Sequence, residues 1–451
     1  MFVRALLIAI VCLTSLGACD KPTHENIEKW QNTQKGTGKL ESAFKDENLD
    51  PDLSAHAAAV LIKKGLDPDV RSGLEQMSPG RRTTVVQKLA PRLWELARIE
   101  GDMQLPNPTQ VRAKDALVLV RKSADDPTKQ QIDGYLVDWY CVGSYEGRAA
   151  AGAVPGATVI RAIGGAAAKK LLHVAEGIVA LNEASPPSAK KNRLGDELLL
   201  ALAVTGDPEA VKFLLGLAVK GVTGTFTPSA PQKGDDPTLP ARAMSAIYKA
   251  YVDPAGLFDL VPSTGLVPNI DAIAAIAKNE AMPADAADDA VRLLRVIGPP
   301  QCIAPLVAMV GYPHTNPKFK YVAADSALKC GGLPAVKDVV KSLPDGPYQQ
   351  EELLGGVVVD ITLMTPRAKV LQTFRDLLNE KGRIPRWVAV EGLAAMKSTE
   401  DIPRLQAVNS GDKLIGYWGD QSGVDPKDRK PEPTLGQRAK ELAARLGPPL
   451  K

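Results

Sequence analysis

The chain has 451 residues, 45% of them apolar and 24% charged, with 55 Lys+Arg against 52 Asp+Glu. This is ample for a packed core and too apolar for general disorder, and a formal net charge of +3 gives no bulk attraction to nucleic acid. Length alone suggests about three domains of roughly 150 residues, a prior that fails for repeat proteins, whose core grows with each added unit.

At the amino terminus, Arg4 precedes the apolar run from Ala5 to Leu13, and Ser15-Leu16-Gly17-Ala18 follows. The pattern predicts a secretory signal over residues 1–18, because the run is shorter than the roughly 20 residues a bilayer span needs. Leu16-Gly17-Ala18-Cys19 resembles the lipobox of bacterial lipoproteins. The resemblance implies cleavage before Cys19, lipidation of its thiol and new amine, and a periplasm-facing protein held at an envelope membrane. At about 0.8 kcal/mol per buried methylene, more than one acyl chain makes release negligible. Asp20, directly after the lipidated cysteine, implies the inner membrane by the rule of enteric lipoproteins. Later apolar stretches are interrupted, one by Lys169, Lys170, His173 and Glu176 and another by Asp360, so no spanning segment is expected. Residues 19–37 read as a polar tether.

Cys302 and Cys330 are the next informative pair. Residues 301–311 and 318–331 read as helices joined by the breaker-rich stretch Gly311 to Pro317, so they run antiparallel. One cysteine starts the first helix and the other ends the second, which sets both at the same end of a hairpin, as a disulfide requires. Two unlinked core thiols are the alternative. Cys141, next to Trp139 and Tyr140, is left odd and expected to be buried. No CxxC or Cys/His spacing of a zinc or redox site occurs.

From residue 270 onward, short amphipathic helices alternate with loops at Gly298-Pro299, Gly332-Leu333-Pro334, Thr365-Pro366 and Ser398-Thr399, a step of 33 or 34 residues. A constant step of that size marks stacked helical hairpins. Second helices are expected at 286–297, 320–330, 350–363 and 386–397. The Ile-x-Pro-Leu and Ile-Pro-x-Leu first helices at 303–306 and 402–405, and Gly-terminated second helices such as Ala57 to Gly65, resemble HEAT repeats. The resemblance implies an all-α solenoid over 270–410, recurring at 38–77 and 190–220, with partners on the inner curve lined by second helices. Residues 140–188 depart from the pattern. The expected organisation is HEAT-like repeats over 38–220, a loop insertion at 221–240, further repeats over 241–410, a loop at 411–433, and a capping helix and tail at 434–451, with the helix itself at 435–446.

Little catalytic chemistry is legible. His24, His56, His173 and His314 are scattered, without HExxH or Cys/His spacing, and no GxSxG elbow occurs. Gly36-Thr37-Gly38-Lys39 lacks the upstream glycine of a phosphate loop. The pairs Asp125-Asp126, Asp288-Asp289 and Glu351-Glu352 are expected at helix starts, where carboxylates cap free amides. No cofactor, metal or catalytic residue is expected. The candidate contacts for a protein or peptide partner are Arg292 and Arg295, outward on the second helix at 286–297, with Arg386 and Glu391 in related positions, and Tyr417 and Trp418 in a polar loop. The expected role is a lipid-anchored envelope scaffold; the alternatives are an enzyme of envelope polymers using residues 140–188 and an assembly chaperone for exported proteins.

Overall fold

The computed structural model describes residues 21–99, 105–185, 194–219, 238–256, 258–345, 350–414 and 431–447. The expected signal peptide, Cys19, the bulk of the 221–240 insertion, and Tyr417 and Trp418 lie outside these residues. Every element described is helical, and the only extended pairing among the described residues is a single bridge between Lys413 and Thr434. No described helix is long and apolar enough to cross a membrane.

The described residues divide into two packed units, one formed by those up to 185 with 194–210 and the other by those from 211 onward. The first contains α1 (His24–Trp30), α2 (Gly36–Lys45), α3 (Pro51–Lys63), α4 (Asp67–Gln76), α5 (Pro79–Ala97), α6 (Pro108–Val120), α7 (Asp126–Cys141), α8 (Tyr145–Ala149), α9 (Gly156–Ile163), α10 (Ala168–Ala184) and α11 (Asp196–Val204). Asp50 caps α3 by accepting from the amide of Asp52, and Pro51 occupies the first turn, where no intrahelical partner is lost. Residues 54–62 of α3 are buried without interruption, since α1, α2, α4, α5 and α6 all pack on it. Gly36, proposed above only as a poor phosphate loop, instead begins α2, and Lys39 lies 5.7 Å from the Trp30 ring centroid.

A further helix, α12 (Pro208–Ala218), contains the boundary between the units. The second unit continues with α13 (Leu239–Tyr251), α14 (Ile270–Ala277), α15 (Ala284–Ile297), α16 (Ile303–Val310), α17 (Pro317–Gly331), α18 (Val336–Ser342), α19 (Gln350–Thr362), α20 (Arg367–Leu378), α21 (Arg383–Ala395), α22 (Ile402–Gln406) and α23 (Leu435–Leu446). The starts of α15, α17, α19 and α21 fall at residues 284, 317, 350 and 383, 33 residues apart each time. Hairpin partners pack as α14 on α15, α16 on α17, α20 on α21 and α22 on α23. Across the hairpins, α13, α15, α17, α19, α21 and α23 form an unbroken row, each packed on the next. Small side chains make this approach possible: Ala286, Ala287 and Ala290 of α15 and Ala323, Ala324 and Ala327 of α17 are all buried. The loop after α17 turns on Gly332, whose φ of +58° suits a residue without Cβ.

Two interactions lock this unit. Cys302 and Cys330 form a disulfide with Cα atoms 6.6 Å apart, at the open end of the α16–α17 hairpin. Asp401 is fully buried before α22, where Arg375 of α20 grips both its oxygens at 2.9–3.1 Å and Ser398 Oγ donates at 2.6 Å. The helix at 435–446 opens with a capping box between Thr434 and Gln437. It is tied to α21 by Arg438, which donates to both oxygens of Glu391 at 2.7 and 3.0 Å.

Candidate partner-binding face

The surface of the second-helix row between α13 and α19 collects most of the unusual side chains of the second unit. On α15, Asp285, Asp288, Asp289, Arg292 and Arg295 follow one another at helical spacing, opposite the buried stripe of Ala287, Val291 and Leu294. Arg292 Nη1 donates to the hydroxyl of Tyr248 on α13 at 3.3 Å, with the guanidinium 6.0 Å from the ring centroid. Arg295 Nη1 lies 4.0 Å from Asp325 Oδ2 on α17, and Lys329 Nζ lies 2.6 Å from the other oxygen of that carboxylate. The two arginines are therefore half-buried and engaged on neighbouring helices, not directed outward as the isolated helix suggests.

Asp288 and Asp289 also depart from expectation. They follow the first turn of α15, which starts at Ala284, so they cap nothing. Burial raises both carboxyl pKa values; for Asp289 the repulsion of Asp285 and Asp288 adds to burial, Arg292 opposes it, and the result is a pKa pushed up to about 6. Oδ1 of Asp288 is buried without a hydrogen-bond partner. By contrast Asp125 does cap α7, accepting from the amide of Thr128 at 3.1 Å. Glu351 and Glu352 fall in the first turn of α19, and their side chains lie outside what is described.

On α17 and α19 the face turns apolar. Tyr321 is 40% exposed, Val359 55% and Leu363, just past α19, 76%. Gly356, Val359, Asp360 and Leu363 share one side of α19 by their spacing. A Cβ at Gly356 would stand 2.3 Å from Cε2 of Tyr321, so the bare glycine gives the ring its resting place. Asp360 has its carboxyl pushed up by burial first and by Asp325 second, and its Oδ2 has no hydrogen-bond partner. An exposed aromatic and two exposed aliphatic side chains beside the underpaired carboxylate of Asp360 make a surface suited to a partner with apolar anchors and a cationic group. Farther along the row Arg386 donates to Asp412 at 2.6 Å and Glu391 is taken up by Arg438, so that end is closed by internal pairs.

Two other places merit description. A groove of about 590 Å³ beside α18, α20 and the start of α21 is lined by Lys341, Asp345, Asp376, Glu380, Lys381 and Arg383. Its main charges pair with one another, Glu380 with Lys337 at 2.5 Å and Lys341 at 2.9 Å, and Arg383 with Asp345. In the first unit, the irregular stretch after residue 140 folds as the short helices α8 and α9 around two buried cations that no sequence pattern announced. Lys114 is fully buried, bonded to the carbonyl of Ala151 at 2.8 Å and 2.6 Å from Asp115 Oδ1; burial pushes its ammonium pKa down, against the carboxylate. Arg148, 2% exposed, donates to the carbonyl of Trp139 at 2.7 Å. Trp139 and Tyr140 fill the space between, with Lys114 Nζ 5.3 Å from the Trp139 ring centroid. Cys141 is half-buried rather than buried, its thiol pKa pushed up to about 12 by burial. No protein-family model matches the chain, and no curated protein is significantly similar to it.

Proposed function

We propose that the protein is a scaffold of HEAT-like helical hairpins, lipidated at Cys19 and held at the periplasmic face of an envelope membrane, that binds a protein or peptide segment without catalysis. The observation that carries this reading is the α13–α19 face, where Tyr321, Val359 and Leu363 stand exposed near the half-buried carboxylate of Asp360, in the same helix row that holds Asp288 and Asp289. Underpaired carboxylates favour a basic partner, and neutralising them on binding offsets the burial that raised their pKa values. The recurring 33-residue step supports the repeat reading, since a row of equivalent helices supplies a long, shallow surface. An acyl foot confines such a surface to a membrane plane and raises its local concentration there.

The test is affinity capture from envelope extract with immobilised wild type, D289N/D360N and L363E. A basic partner retained by wild type, released by added salt and weakened about tenfold or more by each variant is the expected result. Equal retention by all three proteins would refute the face. Cys19→Ser should move the protein from the membrane to the soluble periplasmic fraction, and persistent membrane association would refute the lipid anchor.

A second reading, an enzyme of envelope polymers, is favoured by one observation, the buried Lys114 whose ammonium pKa is depressed beside Asp115. Turnover of an envelope polymer that is lost in K114M while the fold survives would support it over the scaffold.

A further inference from the structure

The four histidines are scattered along the chain, yet two of them meet in the first unit, where α1 packs on α3. His24 Nδ1 and His56 Nδ1 are 2.9 Å apart, with ring centroids separated by 5.1 Å. The opposite nitrogen of each ring is occupied. His56 Nε2 donates to Glu28 Oε1 at 2.7 Å, and His24 Nε2 lies 3.2 Å from Asp52 Oδ2. Asp52 is held in turn by Arg92 Nη2, at 2.9 and 3.0 Å from its two oxygens.

His56 Nε2 donates to Glu28, so His56 Nδ1 presents a lone pair toward His24 Nδ1, and one hydrogen completes the 2.9 Å contact between them. That hydrogen occupies the place a ligated ion can take. Imidazoles whose far N–H is fixed by a carboxylate are the form in which proteins prepare histidine to ligate a metal. We infer that the His24–His56 pair is a transition-metal site of the imidazole-preferring class, for which Cu²⁺ binds most tightly. The two Nδ1 atoms are the protein ligands, Glu28 and Asp52 orient the rings, and water fills the remaining positions. On binding, the ion replaces the proton shared by the two Nδ1 atoms, and that proton passes to solvent.

The surroundings set the character of the site. Among the described residues no group of three or more His, Cys, Asp or Glu side chains is placed to hold an ion, so the pair supplies no more than two protein ligands. Two metal–nitrogen bonds of about 2.0–2.1 Å at a right angle set their nitrogens roughly 2.8–3.0 Å apart, close to the 2.9 Å observed, so the rings have to turn toward the ion and not separate. His24 can turn: it is the first residue of α1 and its side chain is 52% exposed, whereas that of His56 is 11% exposed. Cys141 does not compete, since burial keeps its thiol protonated.

Titration of the full chain with CuCl₂, followed by visible absorption and electron paramagnetic resonance, decides the matter. One Cu²⁺ per chain with nitrogen coupling from two imidazoles is expected, weakened about tenfold or more by H24A and by H56A, and within about twofold of wild type in H173A and H314A. H24A is the deciding variant, and its metal-free thermal midpoint, measured beside the titration, shows that the fold is kept. If H24A binds Cu²⁺ as wild type does, or wild type binds none below millimolar concentration, the pair is a hydrogen bond only and the metal assignment falls.

Discussion

Asp289 and Asp401 lie in the same unit and respond to pH in opposite directions. Asp289 has a folded pKa pushed up to about 6, from an ordinary carboxylate value near 3.8. The folded state therefore binds more protons between these values, and its stability falls as pH rises through that window. Asp289→Asn should raise the denaturant midpoint at pH 7.5 and leave it unchanged near pH 4. The same substitution weakens capture of a basic partner, so a variant more stable and less able to bind would separate function from folding. Burial acts on Asp401 too, but Arg375, Ser398 and Arg404 outweigh it and hold the carboxyl below its usual range. Its contribution is present above the unfolded pKa and lost as pH falls through the folded one. Asp401→Ala leaves the Arg375 guanidinium facing an empty, buried position and should cost about 3–5 kcal/mol in denaturant unfolding at pH 7.

At the scale of elements, helix identity and helix role have different origins. The second helices expected at 286–297, 320–330, 350–363 and 386–397 occupy 284–297, 317–331, 350–362 and 383–395, because apolar spacing and loop Gly/Pro act within one or two turns. Their half-buried acids were not legible, since burial at Asp288 and Asp289 comes from α13 and α17 packing on either side. The disulfide staples one hairpin at its open end, closing a loop of 28 residues. On the chain-entropy model it stabilises by roughly 3–4 kcal/mol. Cys302→Ala/Cys330→Ala should lower stability by about that amount in reducing-agent-free buffer, and dithiothreitol should bring wild type to the same midpoint. A wild type indifferent to the reductant would remove the staple from the account.

For the molecule as a whole, a row of equivalent helices predicts tolerance of whole periods and intolerance of fractions. Deleting residues 350–382 removes α19 and α20 and places α21 where α19 stood against α17. The shortened chain should keep its helicity per residue by circular dichroism and unfold in a single transition, with stability lowered by roughly one repeat and its interface. Deleting residues 350–366 instead removes one helix of a pair and should yield a protein that aggregates or unfolds without cooperativity. Equal damage from both deletions would argue against a repeat.

Local spacing determined the helical class, the 33-residue step and the placement of Cys302 and Cys330 at one end of a hairpin, since each depends on neighbours within a turn or a loop. Tertiary packing alone decided that Arg292 would lean on Tyr248, that Lys114 and Arg148 would be sealed beside Trp139, and that His24 would reach His56 from 32 residues away. The physical reason is the same in each case: pairing and desolvation are properties of what surrounds a side chain, and no pattern along one helix carries the identity of the helix packed against it.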